Sequence, residues 1–224
     1  MTYSEIKICA LEERSALAEH QALLRRAWVP WVLDAAPVRP QPGLIEIAEA
    51  EAAQTLLLWE GDELVGSLIS KRTNLLGFPD KGWDAVAASR NGDRVCALAV
   101  SIDPAARGKG HARRLLLYAK ERFGCFAVPV RPTHKPPGQD MATYLKERTP
   151  DGWSVDPWLR THERMGGQVM GISRRAMQMK APWRQWQHWL GPSPETHASL
   201  VGALQHTGKM GVYSEDNVWM QHGS

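Results

Sequence analysis

The sequence predicts an α/β protein built on a mixed central sheet flanked by helices. An apolar run at residues 95–100 leads into a turn rich in glycine and basic residues, and a helix with one apolar face follows. Two more apolar runs, at residues 55–59 and 63–70, are separated by Glu60-Gly61-Asp62, which predicts a β-hairpin. A hairpin gives antiparallel neighbours and a helical crossover gives parallel ones, so one sheet is expected to contain both kinds of pairing.

The elements around the hairpin follow from hydrophobic periodicity. A short strand is predicted at residues 6–11, and Leu17 and Leu24 share one face of the helix after it. This helix is expected to end in the proline-rich segment 30–42, and a second helix is predicted at residues 44–54. Beyond the hairpin, the polar segment 73–93 predicts an inserted loop with a short helix at 83–88.

The C-terminal part is expected to add one strand and two helices. Residues 125–130 predict the strand after the glycine-rich turn and its helix. A helix is predicted at residues 141–148, and Asp156-Pro157 predicts the start of another. Three tryptophans recur every three residues in the segment 183–189. We expect them to pack in the core or at the interface of an oligomer, because no basic groove accompanies them.

Composition and residue spacing exclude several classes of function. Lys and Arg number 27 against 24 Asp and Glu, a net charge of +3 that is too small to predict nucleic-acid binding. The cysteines, at positions 9, 96 and 125, lack Cys-x-x-Cys spacing, and the histidines do not form a His-Glu-x-x-His pattern, so no metal site is predicted. Free thiols, with no targeting pattern and no apolar run of membrane-spanning length, lead us to expect a cytoplasmic protein without a membrane partner.

The turn at residues 107–112 is predicted to bind a pyrophosphate. Glycines let backbone amides approach an anion, and the turn precedes the positive end of a helix dipole. The turn does not match the phosphate-binding loop of nucleoside triphosphatases, in which Ser or Thr follows the lysine, because Gly110 follows Lys109 here. A dinucleotide-binding fold is also disfavoured, since Arg113 stands where its third glycine belongs.

The turn resembles motif A of the GCN5-related N-acetyltransferase (GNAT) superfamily. The family signature Arg/Gln-x-x-Gly-x-Gly/Ala reads here as Arg107-Gly108-Lys109-Gly110-His111-Ala112. The resemblance implies the GNAT fold, with the motif A strand and the next strand splayed apart around an acyl-coenzyme A such as acetyl-CoA or malonyl-CoA. The residues it assigns to the co-substrate are Val100, Ser101, Ile102, Arg107, Gly108, Lys109, Gly110, His111, Ala112 and Arg113.

The C-terminal part resembles the GNAT-like loading domains of curacin-type polyketide synthases. The matching motifs are Arg131-Pro-Thr-His-Lys135, Asp156-Pro-Trp-Leu-Arg-Thr-His162 and Asn217-Val-Trp219. The resemblance implies that Thr133 and His162 are catalytic. It further implies decarboxylation of malonyl-CoA and transfer of the acyl group to the thiol of an acyl carrier protein, which would be a separate partner. We therefore expect one domain over residues 1–224, with an acyl-CoA-binding core at 1–130 and candidate catalytic residues in 131–224.

Other side chains are weaker candidates for the substrate pocket: Trp28, Trp31, Tyr144, Arg174 and Arg175. A tryptophan of the first helix region walls the cavity in the loading domains, and many N-acetyltransferases keep a general-acid tyrosine. The segment after Gly166-Gly167 departs from the loading pattern, so the arginine for a substrate carboxylate stays undetermined. Two alternatives remain at this stage. One is an N-acetyltransferase for a small amine, with Glu163, His162 or water as base, and the other is a non-catalytic CoA-binding module.

Overall fold

The computed structural model describes residues 5–14, 16–197, 200 and 203–223. Its strands are β1 (Ile6–Ala10), β2 (Ala36–Pro37), β3 (Leu56–Glu60), β4 (Glu63–Thr73), β5 (Arg94–Ile102), β6 (Phe126–Val130), β7 (Gln168–Pro182), β8 (Leu204–Thr207) and β9 (Met210–His222). Its α-helices are α1 (Leu17–Ala27), α2 (Pro30–Asp34), α3 (Leu44–Ala50), α4 (Gly82–Ala88), α5 (His111–Phe123), α6 (Met141–Tyr144), α7 (Pro157–Arg164) and α8 (Trp183–Leu190).

The strands form one mixed sheet, as the sequence predicts. Their order is β1-β3-β4-β5-β6-β9-β7-β2, and β8 pairs with β9 off this path. The β5–β6 pair is parallel, whereas the other described pairs are antiparallel. The parallel pair is the one joined through the glycine-rich turn and α5, because a helical crossover returns the chain in the same direction.

Both faces of the sheet are covered by helices. Helix α5 buries Leu115, Leu116 and Ala119, which contribute to the core on one face. Helices α1, α3 and α4 bury apolar residues such as Leu24 and Ile47 in a second cluster on Ile69 and neighbouring residues. A sheet covered on both faces needs apolar side chains in both directions, and the continuous burial along β3 agrees with this requirement.

The parallel pair β5–β6 ends almost as soon as it begins. Only Val95 and Cys96 of β5 are in register with β6, opposite Phe126 and Ala127. The register of β4 and β5 shifts between Ile69 and Ser70, so that one additional residue of β5 is accommodated there. A bulge of this kind bends a strand and increases its twist. Strands β5 and β6 therefore diverge beyond Cys96, and the predicted splay of these two strands is confirmed.

The C-terminal part contains more strand than the sequence analysis predicted. The long antiparallel pair β7–β9 was not anticipated, and β9 also pairs along the whole of β6. The helix predicted at 141–148 is a single turn, α6, which ends at Tyr144. Trp186 of α8 is fully buried, consistent with the packing role expected of the tryptophans.

Three further expectations concern the cysteines, a membrane-spanning helix and a metal site, and each can be compared only with the described residues. Cys9, Cys96 and Cys125 are free cysteines. Within the described residues, no helix is long and apolar enough to cross a bilayer. In the same part of the chain, no three or more His, Cys, Asp or Glu side chains come together in a way that could hold a metal ion.

Candidate active site

A cavity of about 500 Å³ occupies the gap between the diverging strands. One wall is residues 97–102 of β5 and the opposite wall is residues 128–131 at the end of β6. Thr133, Trp158 and His162 also line it. The volume lies in the range of small-molecule sites, about 300–1,000 Å³. The structure thus brings the motif A strand and the candidate catalytic residues to the same cavity.

The glycine-rich turn stands at the N-terminus of α5. Gly108 and Gly110 have φ angles of +81° and +79°, in the left-handed region that favours glycine, and no other atom lies within 4 Å of a Cβ built on either one. The first amide of α5 to bond within the helix is that of Arg114, which donates to the Gly110 carbonyl. The preceding amides are therefore available to an anion at the positive end of the helix dipole.

The basic side chains of the turn have separate protein partners. Arg107 lines the cavity and donates through Nη2 to the carbonyl of Ala27 at 3.1 Å. Lys109 donates to Glu60 Oε2 at 2.9 Å, and this hydrogen bond lowers the pKa of Glu60. His111 is buried, with Nε2 at 3.6 Å from the same carboxylate oxygen. Of the turn residues, Arg107 and Ala112 line the cavity, whereas Lys109 and His111 face Glu60.

Trp28 closes the cavity from the side of α1. Its indole Nε1 donates to the Ser101 hydroxyl on β5 at 2.7 Å. Trp28 caps the C-terminal end of α1, while Pro30 begins α2 in a new direction. Because of this break, Trp31 lies elsewhere: its ring packs 5.7 Å from that of Trp186, in a buried cluster. Of the two tryptophans that the sequence analysis offered as a cavity wall, Trp28 lines the cavity and Trp31 does not.

Asp156 joins the loop that carries Thr133 to the helix that carries His162. It is fully buried, and as the N-cap of α7 its Oδ1 accepts hydrogen bonds from the amides of Trp158 and Leu159. Its Oδ2 accepts the amide of His134 at 2.8 Å. Thr133 is exposed, lines the cavity, and has no hydrogen-bond partner in the part of the chain that the structure describes. Its hydroxyl is thus free to bind a ligand.

His162 lies within the protein beside a second histidine. Its Nδ1 is 2.8 Å from Nε2 of His222, and both residues are fully buried. The Trp158 ring meets the His162 ring edge-on at 4.7 Å. Burial, with a smaller contribution from His222, lowers the pKa of His162 to about 3. The imidazole is therefore neutral at physiological pH, and its Nε2 has no hydrogen-bond partner among the residues that the structure describes.

The cavity also contains an ion pair that the sequence analysis did not single out. Arg131 Nε donates to Glu215 Oε2 at 2.6 Å, and Arg131 Nη2 donates to the Tyr213 hydroxyl at 3.2 Å. Tyr213 in turn donates to Glu215. The neighbouring Glu215 carboxylate raises the pKa of Arg131, whereas burial is the main cause that raises the pKa of Tyr213. Arg131 and Glu215 both line the cavity, as does Asn217.

Several predicted pocket residues are not part of this lining. Tyr144 is buried and donates its hydroxyl to Asp156 Oδ2 at 3.2 Å, and burial followed by the Asp156 charge raises its pKa. Arg174 and Arg175 are exposed where the β7 register shifts, and both approach Asp216. Arg175 has a φ of +48°, which marks the break in the strand. The register shift places both arginines at the surface, and neither lines the cavity.

The cavity residues and the buried histidine that sequence reasoning missed had unequal signals. Arg131 and Asn217 belong to the quoted motifs, so their motif membership could have marked them as candidates. Glu215 lies two residues before Asn217, in a strand that was not predicted. His222 had no signal, because only the pairing of β9 with β6 brings it close to His162.

A model of the acetyltransferase (GNAT) family matches residues 19–130. The chain belongs to the GNAT family. The match contains β5, the glycine-rich turn, α5 and β6, so it covers the elements that form the gap. The resemblance stated from motif A is confirmed, and so is the fold that it implied.

Individual relatives agree with this assignment. The arginine N-acetyltransferase avaD of Aspergillus versicolor is 28% identical over 187 residues, which is 65% of this chain and 64% of that enzyme. Two solved structures match over nearly the whole chain. The loading GNATL domain of CurA from Lyngbya majuscula has a TM-score of 0.65 at 17% identity, covering 99% of this chain and 98% of that domain. The GphF GNAT-like decarboxylase, solved with isobutyryl-CoA, has a TM-score of 0.60 at 19% identity and covers 98% of each chain. At these identities the likeness shows a shared fold.

We predict that Asp156→Ala destabilises this GNAT protein by about 3 kcal/mol. The variant removes a helix cap, worth about 1 kcal/mol, and leaves buried donors unpaired at about 1–3 kcal/mol in total. Urea unfolding monitored by circular dichroism measures the loss. Asp140→Ala is the matched control, because Asp140 caps the single-turn helix α6 at an exposed position and accepts the amide of Thr143. Equal losses for the two variants would contradict the role assigned to Asp156.

We also predict that His162 makes folding stability dependent on pH. Above about pH 6.5 His162 is neutral in both the folded and the unfolded chain, so burying it costs no loss of a proton and the folding stability is at its full value. As the pH falls from 6.5 towards 3, the unfolded chain binds a proton that folded His162 does not, and stability is lost. The slope attributable to one such group is up to about 1.4 kcal/mol per pH unit. Urea unfolding between pH 7 and pH 4.5 should give a shallower slope for His162→Gln, and identical slopes would refute the prediction.

Proposed function

We propose that this GNAT protein is an acyl-CoA-dependent enzyme whose reaction takes place at the thioester, beside Thr133 and His162. The observation that carries the proposal is the cavity itself, which extends from the β5 edge and Arg107 to both of these residues. Beyond Cys96, the β5 edge that faces β6 has no strand partner in the described ranges of the chain, so its backbone groups can bond the amides of pantetheine. The turn before α5 provides amides and space for the pyrophosphate.

The reaction we favour is decarboxylation of malonyl-CoA or a related acyl-CoA. The bond between the α-carbon and the carboxylate breaks, carbon dioxide leaves, and the electron pair is shared by the α-carbon and the thioester oxygen. The α-carbon then takes up a proton to give acetyl-CoA. Hydrogen-bond donors at the thioester oxygen stabilise the charge that develops there. Thr133 has a free hydroxyl at the cavity and His162 a neutral imidazole with an unpartnered nitrogen, so both suit this task.

Two further features support this choice. Arg131 is a cationic side chain in the cavity, two residues from Thr133, and Glu215 and Tyr213 fix its guanidinium. We assign the substrate carboxylate to Arg131, since a guanidinium with unused N–H groups binds carboxylates well. The two similar structures are described as a loading domain and a decarboxylase. Transfer of the acetyl group to a carrier-protein thiol is the second step that this assignment suggests.

The Nε2 atom of His162 is shielded from solvent in the free protein. Trp158, which is half-buried and lines the same cavity, lies against the His162 ring. We infer that a small rotation of Trp158 admits the acyl group to Nε2. The site is therefore expected to exclude water around the reacting thioester, which strengthens hydrogen bonds to the developing charge.

A second candidate is N-acetylation of a small amine. It is favoured by the similarity to an arginine N-acetyltransferase and by the Glu215 carboxylate in the cavity, which could attract a cationic acceptor. A neutral imidazole at His162 could accept the amine proton. The two candidates differ in the role of His162, which donates a hydrogen bond in one reaction and acts as a base in the other.

Mass spectrometry of purified protein incubated with acyl-CoAs distinguishes the candidates. We expect malonyl-CoA to be converted to acetyl-CoA without an amine, and this rate to fall at least about 100-fold in His162→Ala. Addition of a phosphopantetheinylated carrier protein tests the second step. Unchanged malonyl-CoA, together with acetyl-CoA that is consumed only when arginine or another amine is present, would favour N-acetylation. Binding of acyl-CoA without any turnover would indicate a non-catalytic CoA-binding module.

A matched pair of arginine variants tests the assignment of the carboxylate. Arg131→Gln removes the cavity guanidinium and is expected to raise the KM for malonyl-CoA, whereas Arg174→Gln changes an exposed side chain outside the cavity and should leave it unaltered. Acetyl-CoA binding by both variants, measured by calorimetry, controls for folding of the co-substrate site. An equal effect of the two changes on malonyl-CoA would contradict the assignment.

We predict that Gly110→Glu weakens binding of coenzyme A at least about tenfold, because the new carboxylate lies where the turn is open to a pyrophosphate and repels it. Gly152→Glu is the control, since Gly152 has a similar φ of +81°, an equally open surrounding, and a position outside the cavity lining. Both variants carry the same strain of a side chain in the left-handed region. Isothermal titration calorimetry compares them, and equal affinities would refute the predicted phosphate site.

A further inference from the structure

The contact between His162 and His222 joins two side chains that have no freedom to turn away from each other. His222 stacks on Phe126 at 4.7 Å with an interplanar angle of 13°. A Cβ added to Gly167 would lie 2.8 Å from Cε1 of His222, so the backbone packs directly against this ring. On the other side, the Trp158 ring confines His162. The bond of 2.8 Å between Nδ1 of His162 and Nε2 of His222 is therefore held by packing from both ends.

Within the described part of the chain, the two outer nitrogens of this pair have no hydrogen-bond partner. They are Nε2 of His162 and Nδ1 of His222, and both are buried. His162 lines the cavity, whereas His222 does not. Nδ1 of His162 is directed at His222, so Nε2 is the nitrogen of this ring that remains for a ligand in the cavity. One end of the pair thus meets the substrate site and the other end meets the protein interior.

Both rings are neutral at physiological pH. Burial lowers the pKa of His222 to about 4, with a smaller contribution from the charge of Lys120. Burial similarly lowers the pKa of His162 to about 3. Lys120 donates to the Met165 carbonyl at 3.1 Å, at the C-terminal end of α7, and is the charged group that acts on His222. Two neutral imidazoles carry one N–H each, and one of these two protons lies in the bond between the rings.

The position of the second proton distinguishes two tautomers of the pair. If His162 donates the shared hydrogen bond, the second proton is on Nδ1 of His222, where a buried donor has no acceptor. If His222 donates it, the second proton is on Nε2 of His162 and is directed towards the cavity. The unpartnered atom inside the protein is then an acceptor. In the free protein either arrangement leaves one N–H and one acceptor of the pair without a partner among the described residues. His162 lines the cavity and His222 does not, so after a rotation of Trp158 only an N–H on Nε2 of His162 can be accepted by cavity water or by a substrate oxygen. A buried N–H that finds no partner is costly, and the second arrangement is therefore favoured.

We propose that His222 is a positioning residue, which donates Nε2–H to Nδ1 of His162 and thereby makes His162 present an N–H donor to the cavity. The inference rests on the proposed function and deepens it. A donor at this place stabilises the thioester oxygen as carbon dioxide leaves, and a water molecule that takes the place of the departing carbon dioxide then supplies the proton to the α-carbon. The same tautomer lacks the free Nε2 lone pair that a base for an amine requires. The substrate class that fits it is consequently a thioester that carries a carboxylate on its α-carbon.

The tautomer can be measured without substrate. Nitrogen-15 NMR of histidine-labelled protein at pH 7, assigned with His162→Gln and His222→Gln, reports which ring nitrogens carry protons. We expect Nε2 of both His162 and His222 to be protonated and Nδ1 of both to be unprotonated. Protonated Nδ1 on both rings would overturn the proposal. This result stands apart from activity, so a protein that decarboxylates no acyl-CoA would refute the proposed function while the spectra still decide the tautomer.

Variants of His222 test the effect of this hydrogen bond on turnover. His222→Met removes the donor and is expected to lower kcat for malonyl-CoA about 10- to 100-fold. This is the range seen in metalloenzymes when a metal-ligating histidine loses the hydrogen-bond partner that orients its ring. His222→Gln keeps an amide donor and is expected to recover most of that loss. His20→Gln is the matched control, since His20 is a buried histidine bonded to Ser67 at 3.0 Å and does not line the cavity.

The readouts separate positioning from general stability. The KM for malonyl-CoA should change little in His222→Met, because His222 does not itself line the cavity, while kcat falls. The spectrum of His162 in this variant should show both ring tautomers. Full kcat in His222→Met, or equal losses in His222→Gln and His222→Met with an unaltered His162 tautomer, would overturn the proposal. If His222→Met does not fold, the wild-type spectra and His222→Gln still decide the question.

Discussion

The early end of the β5–β6 pairing is the constraint on which the rest of the site depends. Two paired positions hold the strands together at Val95 and Cys96, and a bulge in the β4–β5 ladder then directs β5 away. Every backbone group of β5 beyond that point on the β6 side needs another partner or a ligand. The gap therefore supplies both the cavity and the polar edge along which an elongated thioester can bind.

The C-terminal part of the chain brings the candidate catalytic side chains to this gap. Strand β9 pairs with the far edge of β6 and keeps it fixed while β5 diverges. Asp156 then ties the Thr133 loop to α7, and His222 of β9 holds the ring of His162 on the same helix. Buried hydrogen bonds of this kind are costly to break, because each leaves a group without water or a protein partner. They can therefore fix reactive side chains with accuracy.

Much of the N-terminal half could be predicted, because its signals are local. Apolar runs, a hairpin turn and one helical face each lie within a few consecutive residues, and the observed bounds differ little from the predicted ones. Strands β7 and β9 were missed for a physical reason. β7 changes register twice and contains Arg175 in the left-handed region, so the alternation of buried and exposed residues is interrupted. The Ser-Glu-Asp-Asn run at 214–217 of β9 resembles a turn in composition.

The sequence by itself determined the family and predicted the glycine-rich turn as a phosphate site and Thr133 and His162 as candidates, since a compact motif keeps its chemistry wherever the chain places it. Only the tertiary structure decided which distant side chains meet them. It selected Trp28 over Trp31 through a break between two helices, and it brought Arg131 into the cavity while Arg174 stayed at the surface. It also paired His222 with His162. Such contacts depend on strand register and helix direction, which are set by the packing of the whole sheet and not by neighbouring residues.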